Sequence, residues 1–191
     1  MKEIDVYKVL EGKNPKLARR VPRFVVDYLR RTIHEREVNE ILARFGDLEG
    51  IAFVRAALGY MNVRYHSVGM ERLNPEGRYV FASNHPFGGM DGLMLADEVA
   101  RYFGDVRVVV NDLLMYLGPL RGLFVPVNKH GRQDAGSVEA FNNAFASDVP
   151  IVTFPAGLCS RRRRGVVRDL EWKPNFVKKA AAYGRGVVPV Y

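Results

Sequence analysis

Arg78-Tyr79-Val80-Phe81-Ala82-Ser83-Asn84-His85-Pro86-Phe87-Gly88-Gly89-Met90-Asp91-Gly92 decides the fold. Residues 78–82 follow a β-strand pattern, apolar from Tyr79 to Ala82, and a helical pattern starts near Asp91. A histidine is therefore expected at a strand end, with a carboxylate at the following helix start and two glycines bending the chain between them. That layout lets Asp91 fold back onto the imidazole of His85. An aspartate-oriented histidine at a strand terminus is a common way to build a general base.

Outward from this segment, strand and helix patterns alternate. Strands are predicted over 62–70, 78–82, 106–110, 123–127, 150–154 and 186–190. Helices are predicted over 90–102, 135–146 and 174–183. This alternation predicts an α/β fold with a mostly parallel central sheet covered by helices. Sites in such sheets gather at the carboxyl ends of strands, where His85 and Phe154-Pro155 both fall. The first sixty residues read as helical. Leu17, Val21, Phe24, Val25, Tyr28 and Leu29 interleave at helical spacing, so Pro22 is expected to open an amphipathic helix with one apolar stripe. Gly46 ends a second helix built on Val38, Ile41, Leu42 and Phe45, and Asp47 caps a third running through Ile51, Val54, Leu58 and Met61. The expected organisation is a helical, membrane-associating N-terminal layer over 1–61 and an α/β core over 62–191. Tyr191 follows directly on an apolar strand read as central, so the protein is expected to continue beyond it.

A chain of 191 residues forms one domain most simply, burying roughly 70% of its unfolded surface. With 48% hydrophobic and 26% charged residues, disorder is not indicated. The single cysteine, Cys159, excludes an internal disulfide and suits a reducing compartment. The start lacks the apolar segment of a secretory signal, and no apolar run approaches the ~18 residues that span a bilayer. A net charge of +8 calls for an anionic partner or surface. The charge concentrates in two places, Lys13 to Arg31 and Arg161-Arg162-Arg163-Arg164. The first, interleaved with apolar residues at helical spacing, suits either an anionic membrane surface or a solvated face of a packed helix. The second reads as a solvated loop, an anion clamp, or a headgroup contact.

Three further stretches accompany the histidine segment: Gly122-Leu123-Phe124-Val125-Pro126-Val127-Asn128-Lys129, Phe154-Pro155-Ala156-Gly157-Leu158-Cys159-Ser160-Arg161, and Val187-Val188-Pro189-Val190. The ordered set Asn-His-Pro…Asp, Gly-x-Phe-Val, Phe-Pro-x-Gly…Ser-Arg and Val-Pro-Val, covering residues 83–190, resembles the glycerolipid acyltransferase superfamily, the type that acylates lysophosphatidate. The resemblance implies an α/β sheet covered by helices with a membrane-seated N-terminal layer. It implies His85 as catalytic base with Asp91 orienting it. It also implies a fatty acyl thioester of coenzyme A or acyl carrier protein as co-substrate, with no further cofactor, and a peripheral position at the cytoplasmic face of the inner membrane. By the same resemblance Asn84, Asn128, Lys129, Pro155, Ser160, Arg161 and Arg162 are candidate substrate-binding residues. Gly88, Gly89 and Gly157 can offer backbone N–H groups to a tetrahedral oxyanion.

The departures from the family pattern are specific. Five residues, Pro86 to Met90, separate His85 from Asp91 where the family has four. Ala156 stands where the third block has glutamate, and Val127 or Asn128 where the second ends in arginine. Both groups tied to glycerol-phosphate recognition are missing. The chain thus resembles the hemolysin-like subgroup that includes N-acyltransferases of aminolipid synthesis, and the expected acceptor is an amino acid or aminolipid. The alternatives are a lysophosphatidate-type O-acyltransferase, a hydrolase using the same base on water, and a non-catalytic basic protein binding anionic lipid or nucleic acid. No nucleic-acid-reading pattern is found. Ser83 and Cys159 lack a motif for a nucleophile. His34, His66 and His130 lack metal-ligand spacing, so no metal is expected. Asp169, Glu171 and Trp172 read as a local ion pair beside a packed indole.

Overall fold

The computed structural model describes residues 3–127 and 135–191. Its first part is helical: α1 (Val6–Lys13), α2 (Pro15–Ala18), α3 (Arg23–Thr32), α4 (Glu35–Phe45) and α5 (Gly50–Tyr60). Asp5 starts α1 by accepting hydrogen bonds from the Tyr7 N–H at 2.8 Å and the Lys8 N–H at 3.3 Å. Two expectations need correction here. The N-cap of α5 is Glu49, without a side-chain bond, because the chain turns at 45–48 (Leu48 N–H to Phe45 O, 2.9 Å) and leaves Asp47 short of the helix. In α3 the buried residue is Val26, while Phe24 and Tyr28 are 74% and 66% exposed, so the apolar stripe divides between an inner and an outer face.

The remaining elements are β1 (Tyr79–Ser83), α6 (Gly89–Phe103), β2 (Arg107–Asn111), β3 (Phe124–Val127), α7 (Ala135–Ala146), β4 (Ile151–Thr153), β5 (Arg161–Arg163), β6 (Val166–Arg168), α8 (Asn175–Ala182) and β7 (Gly186–Val190). Five strands form one parallel sheet in the order β3-β2-β4-β1-β7. Neighbours on β1 point to opposite faces, as the two-residue strand period requires. Phe81 joins a large core with Leu42, Phe53, Val54 and Leu58 of the N-terminal helices and Val99 of α6. Val80 joins a smaller cluster with Phe145 of α7, Ile151 and Ala180 of α8. Helices thus cover both faces, and α4 and α5 share the core of the sheet.

Residues 62–68 contain no strand, against expectation. The segment is held to α6 instead: the Tyr65 hydroxyl donates to Asp97 Oδ2 at 2.6 Å, and the Ser67 hydroxyl donates to the buried Glu98. Polar tethers to a helix replace strand pairing there. Among the described residues β7 pairs with β1 alone, at the sheet edge rather than in its centre.

Two arginines lock this end of the sheet. Arg185, 5% exposed, donates to backbone carbonyls of Ala144 (3.0 Å), Phe145 (2.8 Å) and Val149 (2.9 Å), and Arg78 reaches Ala146, Ser147 and Tyr183. Burial, with the neighbouring Arg78 charge, pushes the Arg185 guanidinium down to about 10. The carbonyls ending α7 are satisfied by cations, as the helix dipole favours.

Candidate active site

β1 delivers His85 two residues past its end, and β4, hydrogen-bonded beside it, delivers Phe154 one residue past its own end. The two rings stack with centroids 4.1 Å apart. His85 Nδ1 lies 3.1 Å from Asp91 Oδ2. An ionised carboxylate only accepts, so the N–H sits on Nδ1 and Nε2 keeps its lone pair. The same Asp91 oxygen accepts the Phe87 N–H at 2.8 Å. Asp91 is 9% exposed. Burial pushes its carboxyl above the usual range, against the pull of the Phe87 N–H and of His85.

Between His85 and Asp91 the chain turns at Gly88, which has φ 67° and ψ −130° and stands at the N-cap of α6. Only glycine occupies that region without strain. A Cβ at Gly88 would meet Cys159 Sγ at 3.4 Å, so this turn also packs against the loop after β4.

That loop closes with the Gly157 N–H donating to Phe154 O at 2.8 Å. The Gly88 N–H faces the Asp91 carboxylate. Of the three glycines considered for an oxyanion, both of these therefore direct their N–H groups inward. Gly89, at the first turn of α6, has open space where a side chain would stand. Its N–H lies at the positive end of the helix.

Pro155 and Ala156 are buried in the same loop. Ser160 donates its N–H to His85 O at 2.8 Å. From Ser160 the chain enters the antiparallel hairpin of β5 and β6, with Arg161 opposite Arg168 and Arg162 opposite Val167. The arginine run is thus a strand rather than a loop. Arg164 (φ 50°) and Gly165 (φ 84°) supply the two positive φ angles that a type I′ turn demands, and that Arg-Gly pair is the signal that could have revealed the hairpin. Arg161 and Arg162 are exposed. Asn84 is half-buried beside β7, its N–H directed at Val190 O at 3.4 Å. Asn128 and Lys129 lie outside the described residues.

Asp169 departs from its expected role. Among the described residues it is a hydrogen-bond node rather than an ion-pair partner, receiving the His85 N–H at 3.2 Å, the Ser160 hydroxyl, and the Trp172 indole N–H at 2.9 Å. Among the described residues no group of three or more His, Cys, Asp and Glu is placed to hold a metal, and no helix is long and apolar enough to cross a membrane.

A family model described as an acyltransferase matches residues 8–191. The chain belongs to the acyltransferase family. Two curated relatives extend the match. The lyso-glycine lipid O-acyltransferase of Bacteroides thetaiotaomicron is 44% identical over 189 residues, covering 98% of this acyltransferase and 70% of the relative. The protein of the same name from Phocaeicola vulgatus is 41% identical over 189 residues, covering 98% and 68%. The acyltransferase is thus an enzyme of lipid biosynthesis, with the α/β fold that the four sequence blocks implied.

Proposed function

We propose that the enzyme transfers a fatty acyl group from a thioester of acyl carrier protein or coenzyme A to the free hydroxyl of a lyso-glycine lipid, with His85 as general base. The observation that carries the acceptor is the 44% identity, over 98% of this chain, to a relative named for that reaction. The site chemistry fits. His85 Nε2 removes the hydroxyl proton as the oxygen attacks the thioester carbonyl, and Asp91 steadies the imidazolium that forms. The carbonyl electrons move onto oxygen, where the Gly89 N–H is a donor. They return as the carbon–sulfur bond breaks, and the thiolate takes the proton back from the imidazolium. A glycine attached through its nitrogen presents a free carboxylate, which a guanidinium binds through two parallel hydrogen bonds. Arg161 or Arg162, which leave opposite faces of a hairpin rooted at His85, offers that contact where the glycerol-phosphate arginine and glutamate of the wider family are absent. The exposed Leu17, Phe24 and Tyr28, with exposed Arg19, Arg20, Arg23 and Arg31 around them, suit peripheral contact with an anionic membrane.

The test is mass spectrometry of products from purified enzyme given acyl thioester with lyso-glycine lipid or lysophosphatidate. A diacylated glycine lipid, formed by wild type and lost in His85→Ala, is expected. Preference for lysophosphatidate would overturn the acceptor, and full turnover by a folded His85→Ala would overturn the base.

A further inference from the structure

Asp91 and Phe154 restrain only the ring of His85; its backbone is restrained from another direction. Ser160 immediately precedes β5 and Asp169 immediately follows β6, so these two residues form the base of the hairpin. They are joined by a hydrogen bond from the Ser160 hydroxyl to Asp169 Oδ1. Asp169 Oδ1 also accepts the His85 N–H at 3.2 Å, and the Ser160 N–H donates to the His85 carbonyl at 2.8 Å. Both backbone polar groups of the histidine are therefore bound by the hairpin base. The second oxygen, Oδ2, takes the Trp172 indole N–H at 2.9 Å. Burial alone would raise the Asp169 carboxyl, but the Ser160, Trp172 and His85 donors outweigh it and hold the group below the usual range. An ionised carboxylate carries no proton of its own and meets all three donors as an acceptor.

We propose that Asp169 is a positioning residue that fixes the His85 backbone through its N–H and ties the arginine hairpin to the catalytic loop. The assignment rests on His85 being the base. It belongs to a part of the chain distant in sequence from the histidine segment, 84 residues from His85. Its consequence is geometric. Without the tie, the imidazole loses its aim at the acceptor hydroxyl while the exposed arginines still bind anions.

The experiment compares steady-state kinetics of Asp169→Asn, Trp172→Phe, the double variant, and His85→Ala, with melting curves for each. In Asp169→Asn the amide oxygen can serve His85 and Ser160 only if the amide NH₂ faces the Trp172 N–H, donor against donor. Expected is a loss in kcat on the order of 10²-fold, as a misaimed base produces, with KM for the acceptor near wild type. Trp172→Phe alone loses roughly 3-fold in kcat, having given up one of three bonds. The double variant removes the opposing donor and recovers most of the kcat lost by Asp169→Asn.

Wild-type kcat in Asp169→Asn, a raised KM with kcat preserved, or strictly multiplied losses in the double variant would each overturn the proposal. If Asp169→Asn does not fold, Trp172→Phe decides: an unchanged kcat overturns the assignment and a few-fold loss at constant KM sustains it. Turnover by His85→Ala would instead remove the base reading itself. A dead His85→Ala beside a fully active Asp169→Asn removes only the tie.

Discussion

Asp91 holds the ring of His85 and Asp169 its backbone, and their surroundings push the two carboxyls in opposite directions. Asp91 meets the ring from six residues away, across a glycine turn, in a site that raises its carboxyl by burial. Asp169 meets the backbone from 84 residues away, and three donors lower its carboxyl despite burial. One carboxylate orients the ring and the other holds the backbone. Ring chemistry and backbone placement are thus separate tasks given to separate carboxylates.

The sharpest way to break this division is Asp91→Asn. The amide oxygen can take the place of Oδ2 and accept from both the Phe87 N–H and the Nδ1–H, but a neutral amide no longer steadies the imidazolium that forms during transfer. A kcat loss on the order of 10³-fold is expected. Stability moves the other way. Because burial raises the folded-state value of Asp91, its protonated form is favoured on folding. That contribution is complete below the ordinary value of about 4 and is lost as pH rises through the raised one. At pH 7 the charge costs stability, so Asp91→Asn should melt at or above the wild-type temperature, with the gap closing near pH 4. A variant that loses both activity and stability at pH 7 would contradict the division.

A smaller effect is expected at the turn that brings Asp91 back. Gly88→Ala forces a side chain into a glycine-only conformation and toward Cys159 Sγ, costing about 1–3 kcal/mol and roughly 10-fold in kcat. Gly89→Ala, with helical backbone and open space, should stay within about 0.5 kcal/mol of wild type or gain slightly. Chemical denaturation of the pair separates the two glycines; equal losses would remove the conformational account.

The smallest effect is the pH signature of Asp169. Its folded value is depressed, so its contribution is present above the ordinary carboxylate range and lost as pH falls through the lowered value. Asp169→Asn should therefore melt a few degrees below wild type at neutral pH and converge with it in strong acid. This is the opposite sign to Asp91→Asn, and both can be followed in one set of melts.

What could be seen in advance follows the same division. The strand-turn-helix carrying His85 and Asp91 was legible because every relation in it is local: strand pattern, glycines, then a carboxylate at a helix start. The bounds of α7 and β7 were legible for the same reason, since their apolar spacing is self-contained. Residues 62–68 misled because Val63 and Tyr65 alternate with polar residues as a strand does, while their fixing partners, Asp97 and Glu98, lie on a later helix. Asp169 was invisible because nothing in Arg168-Asp169-Leu170 announces a contact with the His85 backbone. In the basic hairpin the turn signal is only the pair Arg164-Gly165, beside a run of charge that suits a solvated loop equally well.

The strand order carries a consequence for the timing of synthesis. β1 pairs with β4 on one side and β7 on the other, and both are translated after it. Arg185, just before β7, then grips the carbonyls of 144–149 that precede β4. While the chain is still on the ribosome, the N-terminal helices can gather first, but the strand bearing the histidine meets its first neighbour only when residues 151–153 emerge and its second only near residue 190. The catalytic segment is among the first of the α/β part to be made and among the last to be locked in place.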